Sequence, residues 1–411
     1  MTQSSLPHDI VTELIHHGYE APGGFAAPQP PVCKASTVFF PDVAAMRDFD
    51  WKDKSAYTYG LHGTPTSYLL EERIASLEGG VQCLLVPSGL AAIATVSLSL
   101  LRQGDEVLIP DNAYGPNKAL AEAELRHYGI RHGYYDPLEP ADLEARITDA
   151  TRLIWLEAPG SVTMEFPDLA RLVRICRDRR ITCVLDNTWG CGLAFSPFDL
   201  LRDGGSLGVD VSVHALTKYP SGGGDVLMGS ITTRDESLHM KLKLTHMRIG
   251  FGVGMNDVEA VLRSLPSLAL RYHAHDGAAR ELARFMGDQP AVVQVLHPAL
   301  EGSPGHASWK SLCCAEGQPD GVAAGLFSVV IDPKYSQAQV DRFCDSLKLF
   351  RIGYSWGGPV SLVVPYELPS MRSLPSAALK QGTVVRFSVG LEAVRDLRGD
   401  LAQALQLAFG A

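Results

Sequence analysis

From residue 81 to residue 230, short apolar runs of strand length alternate with segments of helical period, and this alternation narrows the folds open to the chain more than any other feature. Residues 81–86, 106–110, 152–156, 181–185 and 209–214 read as strands, with 91–102, 118–128 and 169–179 as helices between them. A βαβα order implies right-handed crossovers. The strands then run mostly parallel, helices cover the sheet, and ligands are expected beyond the carboxyl ends of the strands. Residues 253–272 read as helix, and 326–331, 362–364 and 384–389 as strands of a smaller α/β unit. Before residue 60 the pattern is weak and rich in proline and glycine (Ala21-Pro-Gly-Gly, Pro28-Gln-Pro-Pro31), which fits an extended arm reaching a neighbour. The expected division is an arm over 1–60, a large ligand-carrying domain over 61–260 and a small C-terminal domain over 261–411.

Charge and composition exclude several classes of function. The 46 acidic residues outnumber 36 scattered basic ones, a net charge of −10, so the chain carries no footprint for nucleic acid or an anionic membrane. The beginning, Met1-Thr-Gln-Ser-Ser-Leu-Pro, has no basic segment followed by an apolar one, and the apolar run 90–101 is too short to span a bilayer. The chain reads as cytoplasmic. Its eight cysteines form no C-x-x-C pair, and Cys83, Cys176 and Cys183 sit inside apolar runs, as reduced core residues do. The 13 histidines form no H-E-x-x-H set, so no metal is expected.

Five places carry chemistry. In Asp210-Val-Ser-Val-His-Ala-Leu-Thr217-Lys218-Tyr-Pro-Ser-Gly-Gly-Gly, an apolar strand leads to one lysine and then to small residues that leave room for a flat ring. Such a lysine is placed to form a Schiff base with a bound carbonyl, or else is a solvated strand-end lysine. Ser88-Gly89-Leu90-Ala-Ala opens a helix after a strand, which is either a phosphate seat or a simple turn. Tyr114 follows a strand and can stack on a flat cofactor or pack elsewhere. Asp186 terminates an apolar strand, either as a helix cap or as the acid that keeps a pyridine nitrogen protonated. Arg386, within a β-branched strand, presents a fork suited to a carboxylate or to an ordinary ion pair.

Taken in order, these pieces resemble one family across nearly the whole chain, the Cys/Met metabolism family of pyridoxal-phosphate (PLP) enzymes. The matching motifs are Gly63-Thr-Pro-Thr66 with Leu77-Glu-Gly-Gly80, Ser88-Gly-Leu-Ala-Ala, Tyr114, Asp186-Asn-Thr-Trp, Thr217-Lys-Tyr, and Arg386 with Gly390-Leu-Glu and Asp396-Leu397. Within the family, Gly353-Tyr-Ser355-Trp356-Gly-Gly is most similar to the β-lyases that act on cystathionine. The resemblance implies an aspartate-aminotransferase-like α/β fold (fold type I) with a mostly parallel seven-stranded sheet and a smaller C-terminal domain. It implies PLP held covalently by Lys218, which then moves protons. Asp186 would lie on the ring nitrogen and Tyr114 against the ring. Ser88, the Gly89 and Leu90 amides and Thr217 would hold the phosphate, with Tyr59 reaching it from a neighbouring subunit. Arg386 and Ser355 would clamp a substrate α-carboxylate, with Trp356 lining the substrate side. The implied reaction is β-elimination of cystathionine or a related cysteine S-conjugate, or alternatively elimination or replacement at the γ-carbon of a γ-substituted amino acid. A shared Tyr59 implies at least a dimer, and the family implies a tetramer of two such dimers.

The chain departs from the family pattern on the substrate side. Leu61 stands where many relatives carry arginine, with His62 beside it as a candidate replacement. Ala215 replaces a serine three positions before the lysine, and Pro359-Val360-Ser361-Leu362 follows where an aromatic and a glutamate are usual.

Overall fold

The computed structural model describes residues 9–16, 23–24, 27–51, 54, 56–314 and 321–410. Parts of the expected arm, residues 1–8, 17–22, 25–26, 52–53 and 55, lie outside the described residues, among them two of the Ala21-Pro-Gly-Gly motif.

A seven-stranded sheet contains β1 (Gln82–Val86), β2 (Glu106–Pro110), β3 (Arg131–Tyr135), β4 (Thr151–Glu157), β5 (Thr182–Asp186), β6 (Val211–His214) and β7 (Gly229–Thr233) in the order β1-β7-β6-β5-β4-β2-β3. All neighbours are parallel except β7, which is antiparallel to both β1 and β6. The sheet is therefore mostly parallel, as the alternation requires. Its central strands are near-continuous apolar runs because both faces are covered. Val107, Ile109, Leu153, Trp155, Val184, Val211 and Val213 share one core cluster with Ala92, Ile93 and Val96 of helix Gly89–Leu100. Leu108, Ile154, Leu156, Cys183 and Leu185 share another with Leu172, Val173 and Cys176 of helix Leu169–Arg179 and Leu70 and Ile74 of helix Pro65–Glu78. Alternate residues of each strand thus choose opposite faces.

A second sheet joins β8 (Val292–Leu296), β9 (Leu326–Ile331), β10 (Arg351–Ile352), β11 (Leu362–Tyr366) and β12 (Thr383–Ser388) in the order β10-β11-β12-β9-β8. Its core packs against helices Leu268–Gly287, Gln337–Ser346 and Val394–Phe409. Residue 260, the expected domain boundary, falls inside helix Met255–Ser264.

Of the strands not read from sequence, β8 is the apolar Val-Val-Gln-Val-Leu, whereas the two in the large sheet lack an apolar signal. β7 is Gly-Ser-Ile-Thr-Thr and fully buried, while β3 is Arg-His-Gly-Tyr-Tyr on the sheet edge. Gly229 begins β7 because its strand passes against the turn after β1: a Cβ there would lie 2.4 Å from the Ser88 carbonyl oxygen. Among the described residues no helix is long and apolar enough to cross a membrane. The described residues between 27 and 60 form little regular structure beyond helix Val43–Asp48, with Thr37 bridged to Tyr59 and Gly60 N–H donating to Ser36 O. Phe39, Val43, Met46 and Tyr59 are exposed along this arm.

Candidate active site

The carboxyl ends of β1, β4, β5 and β6 open into a cavity of about 550 Å³, whose lining includes Ser88, Gly89, Tyr114, Asp186, Lys218 and Arg386. Leu90, Thr217, Ser355 and Trp356 also line it. Of the expected site residues only Tyr59 lies elsewhere: it sits on the arm, half exposed, and reaches no wall of this cavity within its own chain.

Lys218 donates from Nζ to Ser355 Oγ at 2.8 Å, and the same nitrogen lies 5.4 Å from the centre of the Trp356 ring. Ser355 adopts φ 96°, a conformation disfavoured for a residue with a Cβ. The turn around it is pressed onto the lysine. At Gly357 (φ 79°) a Cβ would lie 2.9 Å from Tyr219 N and 3.1 Å from Lys218 C, both backbone atoms that cannot swing aside. Gly357→Ala is therefore expected to cost about 1–3 kcal/mol of stability, read as a lowered denaturation midpoint.

Asp186 accepts at Oδ1 from Thr188 N at 3.0 Å and Thr188 Oγ1 at 2.6 Å. Two donors on one oxygen fix the carboxylate and leave its other edge for the cavity. Burial raises its pKa, opposed by the Thr188 hydrogen bonds and the charge of Lys218. Behind it, Asn187 Nδ2 donates to Glu78 Oε1 at 3.1 Å, as does Ser212 Oγ at 3.0 Å. Glu78 is fully buried and its carboxyl is pushed up to about 7. The Leu77-Glu-Gly-Gly and Asp186-Asn motifs thus meet under the sheet, where they hold the end of β5 in place.

Helix Gly89–Leu100 points its first turn at the cavity, and Ser88 caps it by accepting from Ala91 N at 3.0 Å. The Gly89 and Leu90 amides have no carbonyl inside the helix to serve and are free for an anion. A Cβ on Gly89 would come within 2.7 Å of the Ala215 Cβ, so this turn needs both residues small. Thr217 lines the same region, but its hydroxyl both donates to Met228 O (3.2 Å) and accepts from Met228 N (3.1 Å). It is a hinge pin in this arrangement and not a free donor.

Arg386 is 8% exposed with no carboxylate within 4.0 Å among the described residues; its Nε has no partner, and its guanidinium rests 5.3 Å from the Tyr366 ring centre. A buried cation without a counter-ion is costly, and an anion entering the cavity relieves that cost.

One cavity thus brings together a carboxylate at a strand end, two amides at a helix N-terminus, a partly buried amine and a buried arginine without a carboxylate partner. Residues 11–406 match the profile of the family described as Cys/Met metabolism PLP-dependent enzyme. The chain belongs to that family. Among similar proteins are a putative cystathionine beta-lyase of Rhizobium johnstonii, 36% identical over 97% of this chain and 96% of the relative, and a cystathionine beta-lyase of Bordetella avium, 37% identical over 99% of this chain and all of the relative. The crystal structure of metB from Corynebacterium glutamicum superposes with a TM-score of 0.84 at 26% identity, covering 97% of this chain and 98% of that one. The fold is the type I fold of PLP enzymes, and the family's cofactor is PLP.

Membership in a PLP family gives the state of Lys218 a direct consequence. Burial, then the charge of Arg386, lowers its amine from 10.5 to about 8, with Asp186 opposing. Only the neutral amine attacks a carbonyl, and the neutral fraction rises about tenfold between pH 7 and pH 9 for such a pKa. The rate at which added PLP loads onto cofactor-free protein, followed by visible absorbance, is expected to rise by about that factor and then level off.

The departures from the family pattern resolve individually. His62 shares a 2.7 Å hydrogen bond with Thr58, and burial, then Lys243 and His246, lower its pKa. Its surroundings within the chain thus disfavour the charged form. Pro359, Val360 and Ser361 do not line the cavity, contrary to the expectation that they border a substrate's far end. Ser361 is instead buried, donating from Oγ to Glu392 Oε2 at 2.8 Å and accepting from Gly390 N at 2.8 Å.

Sequence reading also missed residues that shape the cavity. Glu157, the last residue of β4, accepts from Tyr114 N at 2.8 Å. Met371 enters the wall from the connection between β11 and β12. That connection is anchored at Asp111, which accepts from Ser373 N (2.9 Å) and Leu374 N (2.9 Å) and pairs with Lys118 (2.8 Å). Lys118 also donates to Met371 O at 2.9 Å, and Arg372 pairs with Glu165 at 3.1 Å.

Proposed function

We propose that this enzyme is a carbon–sulfur lyase that cleaves cystathionine, or a related cysteine S-conjugate, by β-elimination. The overall change takes cystathionine and water to homocysteine, pyruvate and ammonia. The observation that carries the reading to an amino-acid substrate is Arg386, buried and without a carboxylate partner beside Lys218. The names of the two full-length relatives support β-elimination of cystathionine in particular.

When bound, PLP withdraws electrons from the substrate's α-carbon. The chain's residues would do the rest. Arg386 would hold the α-carboxylate with a fixed fork. Lys218 would carry the cofactor, take the α-proton as general base and deliver a proton on release of the thiol, so that the Cβ–S bond breaks with its electron pair on sulfur. Ser355, which accepts from the Lys218 amine, would aim it. Asp186 would keep the ring nitrogen protonated, Tyr114 would cover one ring face, and Trp356 would close the substrate side. Ser88, Thr217 and the Gly89 and Leu90 amides would seat the phosphate, Thr217 after turning its hydroxyl from Met228.

We further propose an assembly of dimers sharing sites, paired into a tetramer, and a cytoplasmic location. Tyr59 supports the shared site, because it is absent from its own cavity and is half exposed on an arm that also exposes Phe39 and Met46. Mixing Lys218→Ala and Tyr59→Ala proteins should regenerate turnover if sites are shared, and should not if each chain is self-sufficient.

The deciding experiment incubates holoenzyme with cystathionine and identifies the products by mass. Pyruvate with homocysteine supports the proposal. 2-Oxobutyrate with cysteine would move the reaction to the γ-carbon, and no keto acid at all would reject cystathionine as substrate.

A further inference from the structure

Two carboxyl groups stand side by side at the floor of the cavity. Glu157 ends β4 and Asp186 ends β5, and they are direct register partners on adjacent parallel strands, so both side chains leave the same face of the sheet toward the same space. The reading above uses only Asp186.

Their surroundings differ. Asp186 receives two hydrogen bonds from Thr188 and feels the positive charge of Lys218. Glu157 accepts from the backbone N–H of Tyr114 at 2.8 Å and feels the Ser161 N–H more weakly, and among the described residues no Lys, Arg or His nitrogen lies within 4.0 Å of it. The guanidinium whose charge it feels, that of Arg372, is already paired with Glu165.

Tyr114 depends on that bond. It occupies the turn between β2 and helix Gly115–Leu120, is 42% exposed as a residue, and its side chain makes no hydrogen bond among the described residues. Its backbone is held by its carbonyl, which accepts from Asn117 N at 2.9 Å, and by its N–H on Glu157.

We propose that Glu157 is a positioning residue, which fixes Tyr114 over the cavity through a neutral carboxyl group and leaves Asp186 as the sole anion at the cofactor's ring. Two anions on register-partner residues in a poorly hydrated floor repel, and the one with neither a nearby lysine nor a side-chain hydroxyl donor keeps the proton. Burial, then neighbouring Asp186, pushes the Glu157 carboxyl well above the usual carboxylate range, opposed by the Tyr114 hydrogen bond. Cavity-facing atoms of Glu157 remain reachable by solvent while protein encloses the rest, and a seated ring would remove that remaining access.

The inference rests on the cofactor assignment, and its test separates the two. Wild-type, Glu157→Leu and Glu157→Gln proteins are loaded with PLP, and affinity is measured by fluorescence together with the visible circular dichroism of the bound cofactor. Glu157→Leu leaves the Tyr114 N–H without its acceptor and is expected to weaken PLP retention about tenfold or more and to alter the dichroic band. Glu157→Gln restores a neutral acceptor of the same reach and is expected to recover both signals. Loss in the glutamine protein equal to that in the leucine protein would show that a charge is required and overturn the proposal. A leucine protein with unaltered dichroism and affinity would overturn the positioning role. Thermal melting of the three cofactor-free proteins guards against a folding defect, and the isosteric glutamine variant keeps the charge question decidable should the leucine variant fail to fold. Absence of a visible band in the wild-type protein would instead strike the cofactor assignment.

Discussion

Replacement of Lys218 by alanine is expected to lower turnover at least about 10³-fold and to remove the visible absorbance of covalently held cofactor. Both losses follow from one atom. Nζ is the amine that points into the cavity from the loop after β6, already lowered to about 8 and aimed by Ser355. The protein should remain folded, because the side chain's recorded polar contact is a single hydrogen bond to Ser355 and the backbone beneath is held by Lys218 N on Ala215 O. Substrate turnover, visible spectra and far-ultraviolet dichroism check the three parts. Retained turnover in a folded Lys218→Ala protein would remove the central assignment.

Arg386→Leu is expected to lower kcat/KM for amino-acid substrates by about a hundredfold or more, while the melting temperature of the protein without substrate holds or rises. The two effects diverge because of the arginine's isolation. It lies in β12 between Ser328 of β9 and Val364 of β11 in register, with its charge buried, unpaired and lowered in pKa by that burial. A structural arginine would show the reverse, with stability lost and catalysis kept. Leucine removes the desolvation cost along with the carboxylate clamp, so the resting fold loses only the contact with the Tyr366 ring. Steady-state kinetics and thermal melting on one preparation distinguish the alternatives.

The main sheet was legible because apolar strands covered on both faces leave continuous runs in sequence, as in Leu-Ile-Trp-Leu of β4. That the candidate residues would share one cavity was legible for a related reason. In such folds chemistry sits at or just past the strand ends: Asp186 ends β5, and Lys218 and Tyr114 lie in the turns after β6 and β2. Glu157 shows the limit of that reasoning. It ends β4 as Asp186 ends β5, and the same signal could have found it, yet no surrounding motif drew attention to it. β7 was illegible because its burial is achieved with serine and threonine, and its neighbours fix its place. The contacts of Asp111 with Ser373 and Leu374 join residues far apart in sequence through backbone amides, which carry no side-chain pattern to read. Ser361 misled in the opposite direction, since its proximity in sequence to Trp356 gave it a place on the substrate wall that its bonds to Glu392 and Gly390 deny.

The anchored connection between β11 and β12 has a practical meaning for anyone altering what this enzyme accepts. Met371 enters the cavity on a stretch whose amides and carbonyls, more than its side chains, are bound to Asp111 and Lys118, so the width of the opening is set by chain path. Trimming side chains there would enlarge a niche without moving the wall. Changing the number of residues between Tyr366 and Thr383, with Asp111 and Lys118 kept, would reposition the wall itself, which makes loop length the adjustable dimension of this pocket.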